Sequence, residues 1–246
     1  MCTIALAYKV EPMGEIFLVA NRDEALDRPA EQARIRQFGD RQVLAPLDLE
    51  AGGTWIGLND RGLVVCITNR FRMPSKPSFI SRGKLVARAL SCETAEMAAR
   101  EVEAIDPEHY NGFHLLILGA QWGGVVWSDG TQVQKERLSP GYYAISERSF
   151  GAAPSSRLVV LREKLDGLGS LTPQAKQAMM DWMKVHDQRD ALESTCVHME
   201  ETNYGTRSST IIELGSRWRF AVADGPPCES EFHDLDDAVR RLRSAM

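Results

Sequence analysis

The second residue of the chain is a cysteine, directly after Met1. Where Met1 is removed, Cys2 carries a thiol and a free α-amine on one residue. Their reference pKa values, about 8.5 and about 7.7–8.0, nearly match, so the amine can take the thiol proton directly or through water. One residue then supplies nucleophile and base, the logic of a catalytic N-terminal threonine. If Met1 stays attached, that nitrogen is an amide and cannot act as a base. A cysteine at position two is more often a strand-edge residue of no consequence, so its surroundings decide.

Those surroundings are polar and ordered. Asn21-Arg22-Asp23-Glu24 follows the return strand of the first hairpin, at the end where Cys2 sits. An arginine beside the sulfur favours thiolate, and a carboxylate beside the amine would orient it. The plainer reading is a solvated, charged turn. Asn69 ends LVVCITN, where an amide could donate to a developing oxyanion, or simply close a turn. Late in the chain, NYGTRSST (203–210) offers Gly205 for a tight turn, and Arg207 could meet a substrate carboxylate. Gly52-Gly53-Thr54-Trp55 could add backbone N–H groups and a flat apolar wall; alternatively Trp55 is core.

The elements that must position these residues come in runs. CTIALAYKV and 15–20 read as a hairpin about the turn at 11–14, and GGTWIGLN and LVVCITN as a second about Asp60-Arg61-Gly62. FRMPSKPSF, with two prolines, reads as a loop. Helical spacing follows from Ser81 and again near 94–105. Four short strands are expected near 113–119, 125–128, 132–138 and 142–146. Helices near 156–165 and 173–185 come next, then strands near 208–214 and 217–223. DLDDAVRRLR closes the chain with acids first and arginines last, which suits a helix dipole. Hairpin runs separated by helix pairs predict an α+β fold of antiparallel sheets covered by helices, in one domain over 1–246.

Composition narrows the function. With 29 Lys+Arg against 34 Asp+Glu, the net charge is −5, which argues against nucleic acid. No apolar run is long enough to span a bilayer, and MCTIALAYKV lacks a secretory pattern, so a cytoplasmic protein is expected. Five scattered cysteines argue against a disulfide framework. There is no GxGxxG after a strand, GxxxxGK[ST], HExxH or GxSxG. Cys196-Val197-His198, with Cys228 and His233 further along, comes nearest to a metal pattern. Two ligands one residue apart do not make a site without two more, so no metal and no cofactor are expected.

Taken together, MC at the start, ANRDE (20–24), GGTWIGLN (52–59), ITNR (67–70), SRGKLV (81–86) and YGTRSST (204–210) resemble the NRDE family, which includes the transport and Golgi organisation protein 2 proteins. That family in turn resembles the N-terminal-nucleophile hydrolases of the choloylglycine hydrolase and penicillin V acylase type. The resemblance implies a four-layer αββα sandwich of two antiparallel sheets between helices. It makes Cys2 the nucleophile, Asn69 the oxyanion donor and Arg207 the late arginine of the site, with Arg22 and Asp23 as the early pair. Asn21, Trp55, Glu147 and Tyr204 are candidates for lining the substrate.

Two departures stand out. The acylases space their early pair as Arg-x-x-Asp, whereas Arg22 and Asp23 are adjacent and face opposite ways unless the chain turns there. Their second asparagine has no counterpart, because the comparable stretch reads Ala144-Ile145-Ser146-Glu147.

The favoured reading is a cysteine amidohydrolase cleaving a small linear C–N amide through a Cys2 thioester. Its partner would be a small molecule, and homo-oligomer formation stays open. The alternative is a non-catalytic binding or trafficking protein for haem or a lipid-like amphiphile, since the resemblance extends to proteins linked to haem and lipid handling. A cysteine can ligate haem, although no CxxCH is present.

Overall fold

A computed structural model describes residues 2–11, 15–71, 79–151 and 154–244. Pro12–Gly14 of the first turn and most of the FRMPSKPSF loop lie outside them, as does Met1.

In chain order, β1 (Cys2–Tyr8) and β2 (Ile16–Ala25) lead, then β3 (Ala30–Phe38), β4 (Arg41–Asp48), β5 (Ile56–Asn59) and β6 (Val64–Asn69). Helices α1 (Arg82–Leu90) and α2 (Ala95–Glu103) follow. Next come β7 (Phe113–Leu118), β8 (Gly123–Ser128), β9 (Val133–Arg137) and β10 (Gly141–Ser146). The last part holds α3 (Ser156–Asp166), α4 (Pro173–Trp182), β11 (His198–Met199), β12 (Tyr204–Leu214), β13 (Arg219–Ala223), β14 (His233–Asp234) and α5 (Asp236–Ser244).

The chain divides into two compact units, Met1–Arg28 with Pro140–Asp236, and Pro29–Ser139 with Asp237–Met246. Each is built on an antiparallel sheet of seven strands. In the first unit the order is β10-β1-β2-β12-β13-β14, with β11 also paired to β12. The odd-numbered residues of β1 and β2 (Ala5, Ala7, Phe17, Val19) pack on Leu158, Leu161 and Leu165 of α3 and Met179 of α4. Ile4, Leu6 and Leu18 on the other face are buried as well. A strand buried on both faces reads as an unbroken apolar run, which is why IALA and IFLVA show no alternation.

In the second unit the strands follow one another as a meander, β3 to β9. Val65, Ile67, Leu115 and Ile117 pack on the apolar faces of α1 and α2. The GGTW and SRG motifs meet here. A Cβ on Gly53 would lie 2.4 Å from the Gly83 carbonyl carbon, so both positions keep glycine for close backbone approach. Four of the helices start on a hydroxyl cap. Ser81, Thr94, Ser155 and Thr172 each accept from a backbone N–H of the first turn, a contact worth about 1 kcal/mol. Among the described residues no helix is long and apolar enough to cross a membrane.

Candidate functional site

The strand register of the first unit decides which polar residues share a face. Cys2 lies opposite Arg22, and Arg22 in turn opposite Ser208. Directly opposed residues point the same way, so Cys2, Arg22 and Ser208 form one row. The neighbouring row, Ser146–Thr3–Asn21–Ser209, crosses four strands and points towards α3 and α4. β2 does not turn at Arg22-Asp23. It runs straight on to Ala25 because β12 pairs with it along its whole length. Asp23 therefore carries its side chain to the helix side, while its backbone N–H bonds to the Cys2 sulfur.

Asp23 belongs to a buried charge network. Its Oδ1 accepts from the Thr206 hydroxyl at 2.7 Å, and its Oδ2 lies 3.8 Å from Arg157 Nη1. Arg157 Nη2 donates to Glu147 Oε2 at 2.7 Å, and Nη1 donates to the Ser194 carbonyl at 3.0 Å. Arg157, Asp23 and Glu147 are all buried. Glu147 is thus held by a guanidinium within the unit.

The other expected residues brace the chain. Asn21 Nδ2 donates to the carbonyls of Met183 (2.8 Å) and Thr195 (2.7 Å), tying the C-terminus of α4 to the segment before β11. The pairing skips Arg207, which is the extra residue of a β-bulge between Thr206 and Ser208. Its guanidinium turns to the carbonyls of Leu26 and Arg28 and fixes the chain leaving β2. The Tyr204 hydroxyl donates to the Asp23 carbonyl at 3.1 Å.

Burial pushes the Cys2 thiol up; the Asp23 carboxylate adds to this, while Arg22 and the Asp23 N–H oppose it. Burial also raises Asp23 from 3.8 to about 6 against the opposing pull of Arg157 and Thr206. The Tyr204 phenol is raised by burial and by Asp23, so it stays a donor. A sign follows for Asp23. Between 3.8 and about 6 the folded chain holds a proton that the unfolded chain has lost. Its contribution to stability is thus complete below 3.8 and falls away as pH rises through about 6. In urea unfolding from about pH 4 to about pH 7, Asp23→Asn is expected to remove this part of the slope. An unchanged slope would place the titration elsewhere.

The family model for Transport and Golgi organisation 2 matches residues 1–223. The chain belongs to this family. The mouse Transport and Golgi organization 2 homolog is 31% identical over 246 residues, covering 86% of this chain and 88% of the relative. The bovine homolog is 32% identical over 157 residues, and there the match spans 56% of the relative's length. Among solved structures, a Caenorhabditis elegans N-acylethanolamine-hydrolyzing acid amidase ortholog is similar with a TM-score of 0.59 at 14% identity, over 98% of this chain and 97% of the other. Penicillin V acylase from Agrobacterium tumefaciens follows at 0.55 and 14%, over 96% and 86%. The likeness shows the fold, the α+β architecture of N-terminal-nucleophile hydrolases, with two antiparallel sheets and their helices.

Within the chain the family motifs divide between the units. Asn69 closes β6 opposite Phe113, and Trp55 packs partly buried on the core of the second unit. Two residues of the first unit went unseen in the sequence. Arg157 carried a signal, an arginine in register with the buried stripe Leu158, Leu161 and Leu165. Thr206 had none beyond its place in YGTR. The metal pattern needs correction, because His186 joins Cys196, His198 and Cys228, their ligand atoms all within 4.8 Å of one another. His233 is not one of that group.

Proposed function

We propose that this chain is a cysteine amidohydrolase in which Cys2, made N-terminal by removal of Met1, opens a small linear amide. The observation that carries the reading is the Cys2–Arg22 register, with the Asp23 N–H on the sulfur. A thiol pushed up by burial is protonated at neutral pH, so attack needs a base within reach, and the α-amine of the same residue is that base. The sulfur bonds to the carbonyl carbon as the amine takes the thiol proton. That proton passes to the leaving nitrogen, the C–N bond breaks, and a thioester remains. Water, deprotonated by the amine, then releases the acid and restores the thiol. Arg22 stabilises negative charge on the sulfur side. The names of the structural neighbours, an acid amidase and an acylase, describe the same class of bond cleavage.

Mass spectrometry tests this. The purified chain should be lighter by one methionine and should carry an acyl adduct on Cys2 after incubation with an activated anilide of a short acid. Retention of Met1 throughout the sample, with no adduct, would overturn the reading. The second reading, ligand binding without turnover, draws on relatives named for transport rather than catalysis. Saturable haem binding lost in Cys2→Ala, in protein that keeps Met1, would favour it.

A further inference from the structure

The geometry points to a structural zinc site in the first unit, formed by His186, Cys196, His198 and Cys228. Three separate segments deliver these side chains: the loop after α4, the stretch entering β11, and the turn at 226–230 after β13. Nothing in local pairing requires two thiols and two imidazoles to converge, yet their ligand atoms all fall within 4.8 Å of one another.

The distances suit one ion. Tetrahedral zinc with Zn–S of about 2.3 Å and Zn–N of about 2.0–2.1 Å sets neighbouring sulfurs about 3.8 Å apart, and sulfur and nitrogen about 3.6 Å apart. Here the two sulfurs are 3.5 Å apart, and His198 Nε2 lies 3.2 Å from Cys228 and 3.7 Å from Cys196. Both cysteines are free thiols. The imidazole rings of His186 and His198 approach edge-on at 4.8 Å, as two ligands of one centre do.

The surroundings orient both imidazoles. His198 Nδ1 lies 3.1 Å from Glu200 Oε1, leaving Nε2 for the metal. His186 Nδ1 lies 2.9 Å from the Cys196 carbonyl, leaving its own Nε2. A ligating histidine characteristically gives its other N–H to a carboxylate or a carbonyl, and both arrangements are present. Two thiolates with two imidazoles in tetrahedral array select zinc over the harder cations. Binding releases one proton from each thiol to solvent. Exposed His186 gives the ion its way in.

The site also has a purpose in the fold. The clamped stretch supplies the Thr195 carbonyl to Asn21 and the Val197 backbone to Thr206, which holds Asp23. Zinc would therefore fix the segment on which the Asp23 side of the site rests.

The test uses the full chain, dialysed against zinc and then metal-free buffer, with metal counted by plasma mass spectrometry. About one zinc per chain is expected, with less than about a tenth of that in Cys228→Ser. Cobalt(II) should give the intense visible bands of a tetrahedral thiolate site. His186→Gln, at an exposed position, should weaken binding and alter those bands. Glu200→Gln should keep the stoichiometry and lower affinity about 10–100-fold. No zinc in the wild type after reduction and dialysis would overturn the proposal, as would zinc retained in Cys228→Ser or cobalt spectra indifferent to His186→Gln.

Discussion

Cys2→Ala is expected to lower kcat/KM by at least about 10³-fold, since only binding and electrostatic stabilisation would remain. Alanine at position two still permits removal of Met1, so processing is unchanged. The side chain is small and half-buried at the end of β1, and folding stability should move by no more than about 1 kcal/mol. Activity and stability therefore separate cleanly. Cys2→Ser sharpens the test, because a hydroxyl has a far higher pKa and the α-amine would deprotonate it poorly; its rate should fall close to that of alanine. Steady-state kinetics on the acyl anilide, beside a thermal melt of each variant, decide the matter. Full activity in Cys2→Ala would remove the nucleophile from the mechanism.

Arg157→Met carries the largest expected effect on stability. Its guanidinium is fully buried between two carboxylates, 2.7 Å from Glu147 and 3.8 Å from Asp23. Methionine fills a similar volume but removes the guanidinium that both acids share, leaving Glu147 the looser contact with Arg148 at 3.9 Å. Breaking a buried pair by removing one partner costs about 3–5 kcal/mol. For a chain of this size that lowers Tm by roughly 6–20 °C. Adding Glu147→Gln should recover part of the loss by removing one of the stranded charges, and Arg157→Lys should lose less than methionine does. Differential scanning calorimetry on the four proteins measures this. A melt for Arg157→Met within about 1 °C of wild type would show that the network contributes little.

Legibility in the sequence followed apolar pattern and failed where distant pairing took over. The apolar runs of β1 and β6 and the periodic stripes of α1 and α2 identified themselves. The strand ending expected at Ala20 extends to Ala25, because β12 supplies partners for a polar stretch that has no strand signal of its own. β3 and β4 went unread for a related reason. β3 lies at the sheet edge with no fully buried residue, and β4 carries Pro46, so alternation is faint in both. At the site, the adjacency of Arg22 and Asp23 raised the right question, and the straight run of β2 answers it by placing them on opposite faces. The four metal-ligand candidates were illegible as a set because His186 precedes Cys196 by a loop, and no spacing rule spans three segments.

The side chains of the family's own words do chiefly mechanical work. Asn21 laces a helix end to a strand, Arg207 fastens the chain leaving β2, and Gly53 and Gly83 allow two backbones to touch. A descendant that exchanged its sulfur for a methyl group would keep every one of those words and fold alike. Searches keyed to that vocabulary therefore gather scaffolds, and sorting the reactive ones from the inert requires reading position two.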